Sequence, residues 1–313
     1  MAIAEGEWLE AIHTLKEERH AVIIAHNYQP PIVQDVADFV GDSLAMARWA
    51  RASHAEMVVV AGVYFMAETA AILCPDKEVL MPEPDAGCSL AASISANELR
   101  AWKNQYPDAV VVSYVNTSAA VKALSDYCCT SSNAVAVVEA IDPTRDILFL
   151  PDFFLGSCVI RQTQRHNIHL WPGECHVHAT IDPDRVDEVL QRYPEAELLV
   201  HPECGCTTKA LALPPAHNAY RILSTDGMVR YVRSAAGHQF VVATEVGLLH
   251  RLHVENPDKE FIPAQSEARC PYMNLMTLEK IYRALKDHVH PVILPEEIRR
   301  QAAIPLERMV AIR

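Results

Sequence analysis

The sequence predicts three small three-layer α/β/α domains with parallel sheets, related by pseudo-threefold symmetry and placed around a central active site. Two observations predict this fold. A pattern of roughly ninety residues occurs three times along the chain, and such self-similarity is typical of repeated supersecondary units. Within each repeat, strand-length apolar runs alternate with helix-length segments, as in parallel α/β proteins. We expect domains at residues 1–91, 92–180 and 181–313, the last with additional C-terminal helices.

Each repeat opens with a helix-like segment followed by an apolar strand. The strands are almost wholly apolar rather than alternating, which indicates parallel strands that are covered on both faces. The predicted helices are Glu7 to Glu18, Ala96 to Gln105 and Pro183 to Arg192, and the predicted strands are Ala21 to Ala25, Ala109 to Ser113 and Glu197 to Val200.

A polar triplet follows the first strand of every repeat. The triplets are His26-Asn27-Tyr28, Tyr114-Val115-Asn116 and His201-Pro202-Glu203. In open α/β sheets, ligands gather at the carboxyl ends of the strands. We therefore expect the three triplets to face one central cavity, where they supply binding and acid–base groups. On an extended strand, His201 and Glu203 would share a face, which makes them a plausible base pair.

A hydroxyl residue comes next in each repeat, at the expected start of a helix. These residues are Ser43, Ser131 and Thr225, and the second strands follow at Met57 to Ala61, Ile147 to Leu150 and Phe240 to Ala243. Helix N-termini favour anions, although Ser and Thr are also common caps without any ligand. Because the three occur in register with other functional candidates, we favour a role in ligand binding.

Each repeat then has a third strand that ends in proline, followed by one cysteine. The cysteines are Cys88, Cys175 and Cys270, with spacings of 87 and 95 residues. One thiolate from each of three units predicts a shared metal centre, and three thiolates on a four-iron cluster would leave one iron free for chemistry. Structural zinc usually takes its ligands in close pairs, which these three lack. Cys204-Gly205-Cys206, beside His201, is a weak signal for a metal site or a redox pair.

Cys74, Cys158 and several histidines are interpreted as structural, and no chemistry is assigned to Cys128 and Cys129. Nine cysteines, an odd number, disfavour a disulfide framework in a chain that shows no secretory signal. Cys74 and Cys158 lie in apolar segments typical of buried packing. Single histidines are more often structural than catalytic, and this interpretation is given to His166, His169, His176, His217 and His290.

Composition excludes several functional classes. A net charge of −13 argues against nonspecific nucleic-acid binding. No apolar run is long enough to span a bilayer, and the first residues do not resemble a secretory signal, so a cytoplasmic location is expected. The sequence has no Walker A loop, no Gly-x-Gly-x-x-Gly and no His-Glu-x-x-His motif.

Several longer motifs together resemble the quinolinate synthase family. They cover nearly the whole chain and include Ala25-His26-Asn27-Tyr28-Gln29-Pro30, Gln34 to Ser43, Phe65 to Ala70, Ala86-Gly87-Cys88-Ser89-Leu90, Cys129 to Ala134, Trp171-Pro172-Gly173, His201-Pro202-Glu203-Cys204, Thr244 to Arg251 and Cys270-Pro271. The resemblance implies three similar α/β domains and a [4Fe–4S] cluster held by Cys88, Cys175 and Cys270, with one open iron site. It also implies condensation of iminoaspartate with dihydroxyacetone phosphate to quinolinate, with release of phosphate and two waters, in de novo NAD biosynthesis.

The resemblance also suggests roles for the strand-end residues. The free iron would act as a Lewis acid in dehydration, Glu203 oriented by His201 would be the base, and Tyr28 and Tyr114 would relay protons. The expected substrate-binding residues are His26, Ser43, Tyr114, Asn116, Ser131, His178, His201, Glu203 and Thr225. The partners implied are the two small-molecule substrates and functional coupling to an L-aspartate oxidase, with no nucleic acid and no membrane.

The sequence departs from the family pattern at three places. Asn274 replaces the usual basic residue, the segment from Leu213 to Asn218 carries extra residues, and Asp152 to Cys158 is more apolar than is usual. Two alternatives stay open at this point. Diphthamide-synthesis enzymes also use three related domains with one cluster cysteine each, and an iron–sulfur sensor would bind a cluster without catalysis.

Overall fold

The computed structural model describes residues 5–207 and 220–312, and its first sheet is built from the first repeat. The sheet has four parallel strands in the order β2-β1-β3-β4. The strands are β1 (Ala21–His26), β2 (Phe39–Gly41), β3 (Met57–Ala61) and β4 (Glu78–Leu80). The helices are α1 (Glu5–Glu18), α2 (Pro31–Val36), α3 (Ser43–Ala52) and α4 (Tyr64–Leu73). Every residue of β3 is buried, as expected for a central strand with covered faces.

The second repeat forms a sheet of the same order, β6-β5-β7-β8, again with parallel strands. Its strands are β5 (Val110–Tyr114), β6 (Tyr127–Cys129), β7 (Ile147–Leu150) and β8 (Ile168–Leu170). Its helices are α5 (Ala96–Gln105), α6 (Ala119–Lys122), α7 (Ala134–Glu139), α8 (Phe153–Thr163) and α9 (His176–Ala179).

The third repeat has the sheet order β10-β9-β11-β12. Its strands are β9 (Glu197–Val200), β10 (Tyr220–Ile222), β11 (Gln239–Ala243) and β12 (Glu260–Pro263). Its helices, numbered here in the order of the described elements, are α10 (Pro183–Arg192), α11 (Thr225–Ser234), α12 (Leu248–Glu255), α13 (Leu278–Asp287) and α14 (Glu296–Ala311). The predicted α/β class with three parallel sheets is confirmed.

The sequence patterns missed one strand in each repeat. The missed strands are β2, β6 and β10, and each has only three residues at the edge of its sheet. A run of three residues is too short to show a hydrophobic period. The long central strands, by contrast, were predicted to within one residue, because their apolar runs end at polar residues.

The last two helices connect the repeats to one another. Helix α13 packs on α1, where the rings of Trp8 and Tyr282 meet edge to face at 5.0 Å. Helix α14 packs against β6, α6 and α4, and the Met309 carbonyl accepts a hydrogen bond from Asn133 Nδ2. The C-terminal segment therefore contacts both the first and the second repeat.

The predicted hydroxyl residues stand close to helix starts, but other residues cap the helices. Ser43 and Thr225 are the first residues of α3 and α11, and the caps are Asp42 and Ser224. Ser131 lies in the turn before α7, which begins at Ala134. Among the described residues, no helix is long and apolar enough to cross a membrane.

Candidate active site

One cavity between the three sheets brings together all the residues predicted for the site. They lie at the carboxyl ends of strands, in the loops that follow those ends, or near the starts of helices, so the shared sheet order directs them to one centre. The predicted residues in the lining are His26, Tyr28, Ser43, Cys88, Tyr114, Asn116, Ser131, Cys175, His178, His201, Glu203, Thr225 and Cys270.

The three repeat cysteines contribute one thiol each to this cavity. None is in a disulfide. Burial raises the pKa of all three thiols and takes that of Cys88 to about 12, with a smaller contribution from Cys270. Cys88 likewise raises the pKa of Cys175. The thiols are thus close enough to influence one another, and as thiolates they would repel unless a cation lay between them.

Glu203 is the centre of the polar network, where its carboxylate has two close partners. Its Oε2 lies 3.1 Å from Nδ1 of His178, and its Oε1 accepts a short hydrogen bond from the Tyr114 hydroxyl. His201 Nδ1 is 3.8 Å from Oε1, which is too far for a hydrogen bond. The Glu203 carboxylate is therefore held by His178 and Tyr114, and His201 Nδ1 contacts the backbone N–H of Glu203 at 3.4 Å. His201 and Glu203 both lie beyond the end of β9, not on the strand as predicted.

The charges within this network are unequal. Burial opposes the charged form of His178, but Cys175 and Glu203 outweigh it and raise its pKa to about 10. Burial likewise opposes ionisation of Glu203, but His178 reverses this and lowers its pKa to about 2. Burial lowers the pKa of His201 to about 3. The site therefore holds a buried imidazolium–carboxylate pair next to a neutral imidazole.

Thr244 is a site residue that single-sequence reasoning missed. Its hydroxyl lies 2.6 Å from the Tyr28 hydroxyl and 2.9 Å from Nε2 of His178. It follows β11 directly, so its strand-end position was the signal that could have found it. Burial and the nearby Glu203 raise the pKa of Tyr28 and keep its phenol protonated. The chain Tyr28–Thr244–His178–Glu203–Tyr114 thus links all three repeats.

The helix starts meet on one side of the cavity. Asp42 accepts a hydrogen bond from Ala45 N at the start of α3, and Ser224 accepts one from Gly227 N at the start of α11. Ser132 joins them, because its hydroxyl lies 2.6 Å from Asp42 Oδ2 and 2.9 Å from Ser224 Oγ. The first turns of two helices therefore lie beside the region lined by Ser43 and Thr225, and Asp42 lines the same region.

His176 and Glu245 are among the lining residues that were not predicted. His176 was interpreted as structural, but it lines the cavity and its Nδ1 lies 2.6 Å from Ser89 Oγ. Glu245 is 1% exposed, and burial raises its pKa to about 7.

The other cysteines lie outside the lining. Cys74, Cys128, Cys129 and Cys158 are buried and free, which agrees with packing roles for Cys74 and Cys158. Cys204 and Cys206, immediately after Glu203, form a disulfide with each other. Among the sites of departure, Asn274 donates from Nδ2 to the Cys270 carbonyl, whereas Leu213 to Asn218 and His217 lie outside the described residues.

Comparisons with known proteins identify the family. Residues 10–311 match the family model described as Quinolinate synthetase A protein. The chain is 53% identical to Quinolinate synthase from Thermus thermophilus over 313 residues, all of both chains. It is 51% identical to that from Pyrobaculum aerophilum, over 96% of this chain and 98% of the relative. It is also 50% identical to that from Mycobacterium tuberculosis, over 98% and 89%. The chain belongs to the quinolinate synthase family.

Proposed function

We propose that this protein is a quinolinate synthase of NAD biosynthesis, which condenses iminoaspartate with dihydroxyacetone phosphate and releases phosphate and two waters. The observation that carries the proposal is the convergence of three thiols and an acid–base network on one cavity. Family membership over the full chain supports it independently.

The donor set fits a [4Fe–4S] cluster with three protein ligands. Cys88, Cys175 and Cys270 are free, line the same cavity and interact electrostatically. Thiolates are the usual ligands of iron–sulfur clusters. With three of them, one iron keeps an open site, and the bound cluster supplies a Lewis acid for a substrate hydroxyl or carboxylate. A histidine nitrogen of His178 and a carboxylate oxygen of Glu203 lie within 4.8 Å of the Cys175 sulfur, so proton-transfer groups border the cluster position.

The residues around Glu203 would move the protons that dehydration requires. Glu203 is ionised and can take a proton from a substrate carbon, while protonated His178 steadies the carboxylate. Tyr114 donates to Glu203, and the Tyr28 hydroxyl contacts His178 Nε2 directly at 3.2 Å as well as through Thr244. The raised pKa values of both phenols keep them protonated and able to donate hydrogen bonds. His201, which is neutral, can act as a hydrogen-bond partner of the substrate.

The remaining lining residues would bind the anionic groups of the two substrates. Ser43 and Thr225 stand at the first turns of α3 and α11, whose free N–H groups favour carboxylate or phosphate. His26, Asn116, Ser131 and His178 supply further donors on other sides of the cavity. These contacts offset the net charge of −13, which would otherwise repel anions.

The instability of one substrate suggests how it would be supplied to the protein. Iminoaspartate is an unstable imine, so we propose functional coupling to an L-aspartate oxidase that would supply it, and a cytoplasmic location where this supply would occur.

We also propose that the domains are residues 1–91, 92–180 and 181–313. Each range contains one of the three sheets.

Anaerobic reconstitution with ferrous iron and sulfide tests the function. Wild-type protein should bind about four irons and four sulfides per chain and form quinolinate from both substrates. Cys88→Ala should lose the cluster and the activity, whereas Cys74→Ala, a buried thiol outside the cavity, should keep both. A wild-type protein that stays colourless after reconstitution, or a Cys88→Ala variant that still forms quinolinate, contradicts the proposal.

A further inference from the structure

The same backbone hydrogen bond occurs before each of the three cysteines. In every repeat, the backbone N–H three residues after the end of β3, β7 or β11 donates to the carbonyl of the residue two positions before the cysteine. The pairs are Tyr64 N to Ala86 O at 2.8 Å, Phe153 N to Gly173 O at 2.8 Å and Val246 N to Ala268 O at 3.0 Å. This contact aligns the cysteine loops of the three repeats residue by residue.

The residue immediately before each donor differs between the repeats. It is Val63 in the first, Asp152 in the second and Glu245 in the third. All three side chains are buried, with exposed fractions of 2%, 0% and 1%. Two repeats therefore bury a carboxyl group beside their cysteine loop, and the first repeat buries a hydrocarbon side chain.

Glu245 holds the cysteine loop of the third repeat directly. Its Oε1 accepts a hydrogen bond of 3.0 Å from the backbone N–H of Cys270. Its Oε2 accepts one of 2.6 Å from Gly247 N. Both carboxylate oxygens are thus used, and the cysteine backbone is fixed to the end of β11.

Asp152 stands in the same position in the second repeat, with one oxygen still available. Its Oδ1 accepts a hydrogen bond of 2.6 Å from Leu155 N. Its Oδ2 is fully buried and has no hydrogen-bond partner among the described residues. The Asp152 backbone pairs with Gly173, two residues before Cys175, so the unpartnered oxygen lies beside the cysteine loop. A buried acceptor without a donor is costly, and this loop is the neighbouring segment that can supply one.

The first repeat has no equivalent acceptor. Val63 cannot accept a hydrogen bond, and the Cys88 sulfur is contacted from within its own loop by Ala91 N at 3.4 Å. The loop around Cys88 is therefore anchored by the shared backbone contact of Tyr64 and Ala86 and by its own turn.

We propose that Glu245 and Asp152 are positioning residues for the cluster: Glu245 holds the backbone N–H of Cys270, and the free Oδ2 of Asp152 accepts that of Cys175 once the cluster is bound. Cys88 is then the ligand whose backbone is held least. The inference rests on the proposed cluster. Groups that orient metal ligands from behind typically change metal affinity by about 10- to 100-fold when they are removed, because the ligand atoms lose their fixed direction.

Removal of each carboxyl group tests this inference on the reconstituted protein. We expect Asp152→Ala and Glu245→Ala to lose iron to a chelator about 10- to 100-fold faster than wild type, with an altered electron paramagnetic resonance spectrum of the reduced cluster. Asp152→Asn and Glu245→Gln keep an oxygen acceptor and should restore both properties. A purely structural role would not predict rescue of the spectrum by the amide.

Asp126→Ala is the matched control. Asp126 Oδ2 also accepts a backbone N–H, that of Val111 at 2.8 Å, but at the opposite end of the second sheet. The Asp126→Ala variant should have a lower melting temperature, with iron release and the electron paramagnetic resonance spectrum as in wild type. Unchanged iron release in both alanine variants, with a loaded wild type, overturns the inference. A wild type that binds no iron instead overturns the proposed function.

Amide hydrogen exchange on unmutated, iron-loaded protein gives a second test that does not depend on the folding of variants. We expect the N–H groups of Cys175 and Cys270 to be protected, and that of Cys88 to exchange faster. Exchange at Cys175 and Cys270 that is as fast as at Cys88 would contradict the inference.

Discussion

The protein has two buried ionic clusters with opposite surroundings. In the cavity, Glu203 and His178 lie 3.1 Å apart and line open space. Between the first and second repeats, Glu68 and Lys122 are buried as well, but neither lines the cavity. Each pair joins residues from two repeats. Burial and charge are therefore common to both clusters, and what distinguishes them is whether a ligand can reach the charged groups.

The cluster of Glu68 and Lys122 is buried among the described residues. Lys122 is 0% exposed, donates a short hydrogen bond to the Thr117 carbonyl and lies 5.4 Å from the centre of the Phe65 ring. Glu68 accepts a hydrogen bond from Ala119 N at 3.0 Å. Phe65 lines the cavity, whereas Lys122 does not. Lys122 therefore packs behind a residue of the cavity lining without contacting a bound ligand. We interpret this pair as structural.

The largest expected effect is on turnover, from Glu203→Gln. The amide keeps the shape and an acceptor but cannot take a proton, so we expect turnover per folded, iron-loaded molecule to fall by about 10²- to 10⁴-fold. Because His178 loses its charged partner, the melting temperature should fall as well. Glu83→Gln is the control, because Glu83 pairs with Lys280 at 2.6 Å outside the cavity and should keep full turnover. If Glu203→Gln turned over like wild type with an intact cluster, the base assignment would be wrong.

The next effect is on stability, from Lys122→Met. Burial raises the pKa of the Glu68 carboxyl and Lys122 lowers it again in part, although the two form no direct ion pair. An uncompensated buried charge costs up to about 3–5 kcal/mol, so the free energy of unfolding should fall by up to that amount in urea titrations. The double variant Lys122→Met, Glu68→Gln should recover part of the loss, because no uncompensated carboxyl then remains. Turnover per folded, iron-loaded molecule should fall far less than in Glu203→Gln. A double variant no more stable than the single one would show that the two charges are not coupled.

The smallest effect is expected from an exposed pair on two helices that pack against α4, the helix that carries Glu68. Arg51 on α3 lies 2.6 Å from Glu307 on α14, and both side chains are about half exposed. Water and salt weaken such pairs, so Arg51→Ala should reduce the free energy of unfolding by only about 0.2–1 kcal/mol. A loss as large as that of Lys122→Met would mean that burial does not explain the difference between the pairs.

Much of the site could be predicted because each repeat places chemistry at the same strand ends. Cys88, Cys175 and Cys270 were found by spacing, and the strand-end triplets found His26, Tyr28 and Glu203. Single-sequence reasoning missed Thr244 and Glu245, although they occupy the corresponding position after β11. The sequence did not indicate them, because β3 in the first repeat is followed by Gly62 and Val63, which have no polar side chain at the corresponding position.

The sequence by itself determined the number of repeats, the long central strands and the three cysteines. These features are recorded in local hydrophobic runs and in spacing along the chain, which every repeat preserves. Only the tertiary structure decided that His178 and Tyr114 hold the Glu203 carboxylate, and that Lys122 lies close enough to Glu68 to counter the rise in its pKa that burial causes. Those partners come from different loops and different repeats. Distance between them depends on how three sheets pack, and no local pattern encodes that packing.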